Sequence, residues 1–202
     1  ESKVLKWADK LTTDSKTVQK QYKEKIGVEF ECLLAPLDIE NFKDIPDIPK
    51  KEKQIVYIGR DSHEKGIDVL RKIEKKIDAK IVYCTNVEWN EAMLRLKESN
   101  IVIIPSRMES IPQVIKEAFY LKVPIIATNV GGIPELITHE ENGILIPPDN
   151  EQRLIEAINQ LFLKKEFAND LAENGYKYVI KNLTWEALLP KYTKFYEDLL
   201  NS

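Results

Sequence analysis

The sequence predicts an α/β protein built on a doubly wound parallel sheet, and three observations carry that prediction. Residues 55–58, 81–84, 101–104 and 125–127 are short unbroken apolar runs, the pattern of strands buried on both faces. Between them lie stretches whose apolar residues recur at helical spacing. The repeated alternation of strand and helix is a βαβ series, which closes into a parallel sheet with helices on both sides.

Each element has a local reason. The first residues are helix-like, and residues 10–13 resemble a short strand. Ser15 is placed to cap a helix over residues 16–25 with Val18, Tyr22 and Ile26 on one side, and Gly27 to close it. A strand over 30–34 follows, then Pro36-Leu37-Asp38 and a proline-interrupted, charge-rich connector over 43–53. From Gln54 onward the spacing predicts a strand at 55–58 and a helix over 64–77 with Ile67, Leu70, Ile73 and Ile77 inward. A strand at 81–84, a helix at 90–98 and a strand at 101–104 come next. Pro112 suits the first turn of a helix reaching Leu121. A strand at 125–127, a helical turn at 134–138 and an edge strand at 143–146 follow. Asp149 with Gln152 is a capping pair for a helix carrying Leu154, Ile155, Ile158, Leu161 and Phe162 on one face. A helix over 166–180 leads to Thr184, which caps a last helix with Trp185, Leu188, Leu189, Tyr192, Tyr196 and Leu199 in an aromatic-rich stripe. That stripe reads as packing, on this domain or on a partner domain.

Composition narrows the function. The 202 residues, 43% hydrophobic and 31% charged, suffice for one substantial core. The net charge of −3, from 30 basic and 33 acidic side chains, argues against a nucleic-acid-coating surface. No apolar run reaches the roughly 18 residues of a membrane span, and no signal peptide opens the chain. Cys32 and Cys84 sit among apolar neighbours and read as free buried thiols of a reducing, cytoplasmic compartment. With no CxxC and no His/Cys cluster, a structural zinc site is not expected. The chain opens at Glu1 without an initiator methionine and reads as a fragment of a longer protein.

Two loops at the carboxyl ends of strands carry the candidate chemistry, because ligands bind there in open α/β sheets. In Gly59-Arg60-Asp61-Ser62-His63-Glu64-Lys65-Gly66, glycine permits close backbone approach, and Arg60 with Lys65 is a cationic pair suited to a diphosphate. The second loop holds Glu109, and Glu117 lies in the helix that follows. About 8 Å of helix axis between Pro112 and Glu117 matches the reach from a nucleotide's phosphates to its ribose. Backbone N–H groups of Ile111, Gln113 and Val114 at the helix start suit phosphate oxygens. Arg107 and Lys116 have no clear inward role.

These loops in order, Gly59-Arg60 with Lys65-Gly66, Pro105-Ser106, Glu109-Ser110-Ile111-Pro112, Glu117-Ala118, Gly131-Gly132-Ile133-Pro134-Glu135, Asn142-Gly143 and Pro147-Pro148-Asp149, resemble the C-terminal half of family-4 glycosyltransferases of the GT-B fold. The resemblance implies a Rossmann-like nucleotide-sugar-binding domain over 1–202. Within it, 1–53 is interdomain lead-in and connector, 54–181 the core and 182–202 a helix crossing back toward an absent N-terminal acceptor domain. It also implies a retaining hexosyl transfer from a nucleotide-sugar donor, without metal or other cofactor, to a sugar, glycan or lipid-linked acceptor. Arg60 and Lys65 would stabilise the leaving diphosphate, and Gly59, Glu109, Ser110, Ile111, Gln113, Val114 and Glu117 would bind the donor. Membrane association would be peripheral, through the absent half, and the isolated fragment inactive.

The chain departs from the family in having Ser110-Ile111-Pro112 for Gly-Phe-Gly and Ala35-Pro36-Leu37-Asp38 for Asn-Gly-Val-Asp. The segment from Ile81 to the helix after Trp89 is also short, which leaves the base unread. Alternatives are a non-catalytic nucleotide-binding module and a GT-B sugar-nucleotide epimerase. The epimerase would need a histidine and carboxylate set, and His63 and His139 read as surface loop residues.

Overall fold

The structure, a computed structural model, describes Leu5 and residues 7–201. The helix-like opening expected for the first residues falls largely outside them. Strand β1 (Thr12–Thr13) pairs in parallel with β2 (Glu31–Cys32), and helix α1 (Lys16–Ile26) connects them. The expected strand over 30–34 is thus shorter, because only Leu11 and Thr13 are there to bond it, through the amides of Glu31 and Leu33. Ser15 caps α1 by accepting from the Val18 N–H at 3.2 Å, and Gly27 ends it at φ 66.

The main sheet comprises β3 (Gln54–Ile58), β4 (Lys80–Cys84), β5 (Ile101–Ile104), β6 (Ile125–Thr128) and β7 (Ile144–Ile146). All its neighbouring pairs are parallel, in the order β4-β3-β5-β6-β7. Side chains alternate between two cores, as the period of two requires. Ile55, Tyr57, Ile101, Ile103 and Ile126 enter one layer with helices α2 (Ile67–Ile73) and α6 (Glu151–Leu163). Val56, Val102, Ile104, Ile125 and Ala127 enter the other with α3 (Trp89–Lys97) and α4 (Gln113–Tyr120). The short α5 (Ile133–Leu136) follows β6, and α7 (Lys165–Asn182) reaches both cores, with Leu171 in the first and Val179 in the second. Gly175 of α7 lets it lie on Phe119, where a Cβ would stand 2.3 Å from the ring.

Helix boundaries differ from expectation for identifiable reasons. The stretch 64–77 is broken by Gly66 at φ 68, which separates a 3-10 turn (His63–Lys65) from α2. Ile77 lies outside the helix, in extended backbone. Pro112 is the N-cap residue of α4 rather than its first-turn residue, since its ψ of 126 is extended. Asn150, not Asp149, caps α6, accepting from the Arg153 N–H at 2.9 Å. Asp149 instead bonds Arg107.

The last helix, α8 (Trp185–Leu200), is capped by Thr184 and packs on the lead-in strand. Lys191 donates to the Cys32 carbonyl, and the Tyr192 hydroxyl to the Leu34 carbonyl at 3.0 Å. The aromatic-rich stripe divides: Leu188 is buried and Tyr192 half-buried, while Trp185, Leu189 and Tyr196 are exposed; the buried aromatic of the helix is Phe195, which the stripe did not include. Cys32 and Cys84 are free and buried, as read from their neighbours.

Candidate functional site

The chain runs from β3 to β4 on one side, then returns across β3 to β5 on the other. The loops after β3 and β5 therefore diverge around the switch point, where a doubly wound sheet opens a crevice. These are the two loops carrying Arg60, Lys65 and Glu109. The bond from the Gly59 N–H to the Cys84 carbonyl, 3.2 Å, extends the ladder into the first loop. The Tyr57 hydroxyl then donates to the Arg60 carbonyl at 2.6 Å and fixes that backbone. The Arg60 side chain is exposed and, among the described residues, has no carboxylate partner.

Two glycines set how closely the loops approach. At Gly66, in the left-handed region at φ 68, a Cβ would lie 2.0 Å from the Pro105 carbonyl oxygen. At Gly131, φ 55, a Cβ would lie 1.8 Å from the Glu109 carbonyl oxygen. Only glycine fits either place. The first contact presses the β3 loop onto the β5 loop, and the second presses the turn after β6 onto Glu109.

Arg107 rivets the same region. Its guanidinium donates to both oxygens of Asp68 at 2.7 and 2.9 Å, to the His63 carbonyl at 2.6 Å and to Asp149 at 2.8 Å. Its backbone N–H donates to the Glu64 carbonyl at 2.7 Å. The hydrogen bonds from Arg107 hold the Asp68 carboxyl down at about 2. Arg107, which had no inward role in the sequence, is thereby committed to joining three loops.

Lys65 and Glu109 form an ion pair across the crevice, with the Ser106 hydroxyl donating to the same carboxylate oxygen at 3.1 Å. The Ser110 hydroxyl donates to Asp14 at 2.5 Å, so this candidate's side chain faces the lead-in. The Ile111 side chain is buried in the core, leaving its backbone for any ligand contact. Helix α4 opens at Gln113 and Val114 with no side-chain cap, so its first N–H groups have no side-chain acceptor.

Glu117, deeper along α4, accepts from the Trp89 indole N–H at 2.8 Å. Burial pushes its carboxyl up, and the Trp89 bond and the Lys116 charge oppose that. Lys116 itself is fully buried, donates to the Ala35 carbonyl and is pulled down to about 8 by desolvation. A cleft of about 230 Å³ lies between Lys65, Glu109, Gln113, Val114 and Glu117. Lys65 and Glu109 also border a larger cavity of about 710 Å³, whose far wall is Val18, Gln21, Tyr22 and Lys25 of α1.

Sequence reasoning missed Trp89, Asp14 and the Ser15–Glu135 contact described below, since nothing in their spacing points to one another. His139 accepts from the Leu145 N–H at 3.1 Å, and His63 is exposed. Among the described residues no group of three or more His, Cys, Asp or Glu is arranged to hold a metal ion, and no helix is long and apolar enough to cross a membrane.

The family model described as "Glycosyl transferases group 1" matches residues 72–178. The chain belongs to the group 1 glycosyl transferases. Glu109 and Glu117 lie inside the matched stretch; Arg60 and Lys65 precede it. This glycosyl transferase chain is 26% identical over 190 residues to the N-acetyl-alpha-D-glucosaminyl L-malate synthase of Bacillus anthracis, covering 81% of the chain and 50% of that enzyme. The first relatives are covered to a similar extent, so the chain spans about half the length of the curated relatives it matches. In fold it is similar to HepE of Anabaena, solved in complex with UDP-glucose (TM-score 0.78, 16% identity, 95% of this chain and 64% of that one). It is also similar to the C-terminal domain of a group 1 family protein, LpcC, from Francisella tularensis (TM-score 0.57, 20% identity, 85% of this chain and 94% of that one). The architecture of this glycosyl transferase chain is therefore that of an α/β, parallel-sheet half of a GT-B enzyme.

Proposed function

We propose that this chain is the donor-binding C-terminal half of a retaining hexosyltransferase, moving a sugar from a nucleotide-sugar donor to a sugar, glycan or lipid-linked acceptor held by an N-terminal domain. The observation that carries the reading is that the Lys65–Glu109 pair borders both the larger cavity, where unpaired Arg60 lies, and the smaller cleft, where Glu117 stands beside the uncapped start of α4. HepE's complex with UDP-glucose supports a nucleotide-sugar as the ligand class.

In this reading the diphosphate lies against the first N–H groups of α4, between Arg60 and Lys65. Negative charge grows on the leaving diphosphate as the glycosidic bond breaks, and the two cations stabilise that charge more than the ground state. Lys65 moves from Glu109 toward phosphate, which frees the Glu109 carboxylate to accept sugar hydroxyls. Glu117 accepts from the ribose. Neither glutamate serves as a nucleophile in this reading: Glu109 accepts sugar hydroxyls and the Ser106 hydroxyl, and Glu117 accepts from the ribose and from Trp89. The proposal includes cytoplasmic action without a metal, and donor binding without turnover by this chain alone.

Calorimetric titration of the chain with UDP, GDP and ADP and their sugar conjugates, with and without EDTA, tests donor binding. Binding of one nucleotide series that EDTA leaves unchanged is expected; absence of binding throughout overturns the reading. With the complete protein, NMR of the product is expected to give the donor's anomeric configuration, and an inverted product removes the retaining assignment.

A further inference from the structure

We propose that Trp89 is a positioning residue for the nucleotide: its indole N–H fixes one oxygen of Glu117, so that the other oxygen takes the ribose contact and a single ribose hydroxyl dominates recognition. This rests on the donor reading above.

The geometry follows from the short connection between β4 and α3. With only residues 85–88 between Cys84 and Trp89, α3 begins at Trp89 itself, and that places the indole at the carboxyl end of the sheet. The N–H to Oε1 distance is 2.8 Å. Indole nitrogen is a donor only, so the bond requires an acceptor at Glu117 and matches its ionised form. The ring packs T-shaped against Phe42, at 5.0 Å between centroids and 78° between planes. Phe42 is itself buried and packs on Tyr120 of α4 at 4.7 Å. Trp89, on α3, thus meets α4 twice: directly at Glu117 and, by way of Phe42, at Tyr120.

The adjacent cation does not share the task. Lys116 points its ammonium to the Ala35 carbonyl, on the lead-in side of α4. Removing the Trp89 donor therefore leaves the Glu117 carboxylate, partly buried beside the cleft, without its protein hydrogen bond. A carboxylate in that condition loses both its orientation and part of its preference for the charged form.

The experiment is a double-mutant cycle on the chain, titrated by calorimetry with whichever of UDP, GDP and ADP binds. Trp89→Phe keeps the ring against Phe42 and removes the N–H, and is expected to weaken binding about tenfold. In the Glu117→Ala background, which leaves the indole N–H no side-chain oxygen, the same change is expected to cost less than about twofold, because the tryptophan acts through the carboxylate. Equal costs in both backgrounds, or no cost in either, overturn the proposal. The 2′-deoxy and 3′-deoxy forms of the nucleotide add a reading that packing would not move. One is expected to bind about tenfold weaker than the parent and the other within about twofold; matched losses overturn the single-oxygen contact. Thermal melting of each variant separates binding effects from unfolding. If no nucleotide binds the unaltered chain, this proposal and the donor reading fail together; if one binds and the cycle is additive, only the role of Trp89 fails.

Discussion

Ser15 and Glu135, 120 residues apart, meet in a 2.7 Å hydrogen bond from the serine hydroxyl to the carboxylate. The same carboxylate accepts from the backbone N–H groups of Lys16 and Thr17, both at 2.9 Å. A glutamate from the turn after β6 thus completes the N-terminal cap of α1 and draws that helix over the cleft. Glu135→Ala is expected to destabilise the chain by about 1–3 kcal/mol, read as a lower urea midpoint. Limited proteolysis is expected to begin within α1; unchanged cleavage and midpoint would show that the helix is held by other contacts.

The approach of the loops depends on Gly66 and Gly131. Alanine at either place meets both a positive φ and a carbonyl oxygen at 2.0 or 1.8 Å. Gly131→Ala and Gly66→Ala are each expected to cost about 2 kcal/mol or more and to weaken nucleotide binding, because the carbonyl must move and takes Glu109 or the Pro105 turn with it. Melting temperature and calorimetry together check this, and a variant that keeps both values would refute the contact.

Lys116 gives a pH dependence of stability. Burial pulls its folded value down from 10.5 to about 8, so the unfolded chain binds more protons between those limits. Stability contributed by this site is therefore largest above the unfolded value and is lost as pH falls through the folded one. The contribution is expected to be on the order of 2–3 kcal/mol across pH 8 to 10.5. Lys116→Met is expected to flatten that rise in urea titrations over the range, and an unaltered slope would assign it elsewhere.

Arg60 and Lys65 are separable by experiment. In the complete protein, Arg60→Met and Lys65→Met are each expected to reduce kcat by about 10²–10³-fold. Arg60 is exposed and unpaired, so its replacement is expected to leave melting unchanged. Lys65→Met strands the Glu109 carboxylate, only 10% exposed, and is expected to lower stability as well. Unchanged turnover in both variants would remove the diphosphate role.

The sequence was informative where chemistry depends on local order. Buried strands show as unbroken apolar runs, and the loops at their ends place Lys65 and Glu109 at the carboxyl edge of the sheet; that the two loops flank the switch point follows from the strand order. It was less informative about ends and breaks. Pro112, expected in the first turn of its helix, stands one residue before it, and Asn150 rather than Asp149 caps α6 because adjacent Asp and Asn satisfy the same capping preference. The break at Gly66 depends on a carbonyl from another loop, and no helical period records that.

What the sequence by itself determined is the α/β alternation, the family and the two loops that bear the charged candidates, since strand burial and loop composition are properties of neighbouring residues. Only the tertiary structure decided that Arg107 is tied up by Asp68, His63 and Asp149, that Lys116 is buried against Ala35, and that Trp89 holds Glu117. Those assignments turn on which carboxylate or carbonyl lies within about 3 Å of a donor, and chain folding sets that distance between residues whose separation along the sequence carries no signal.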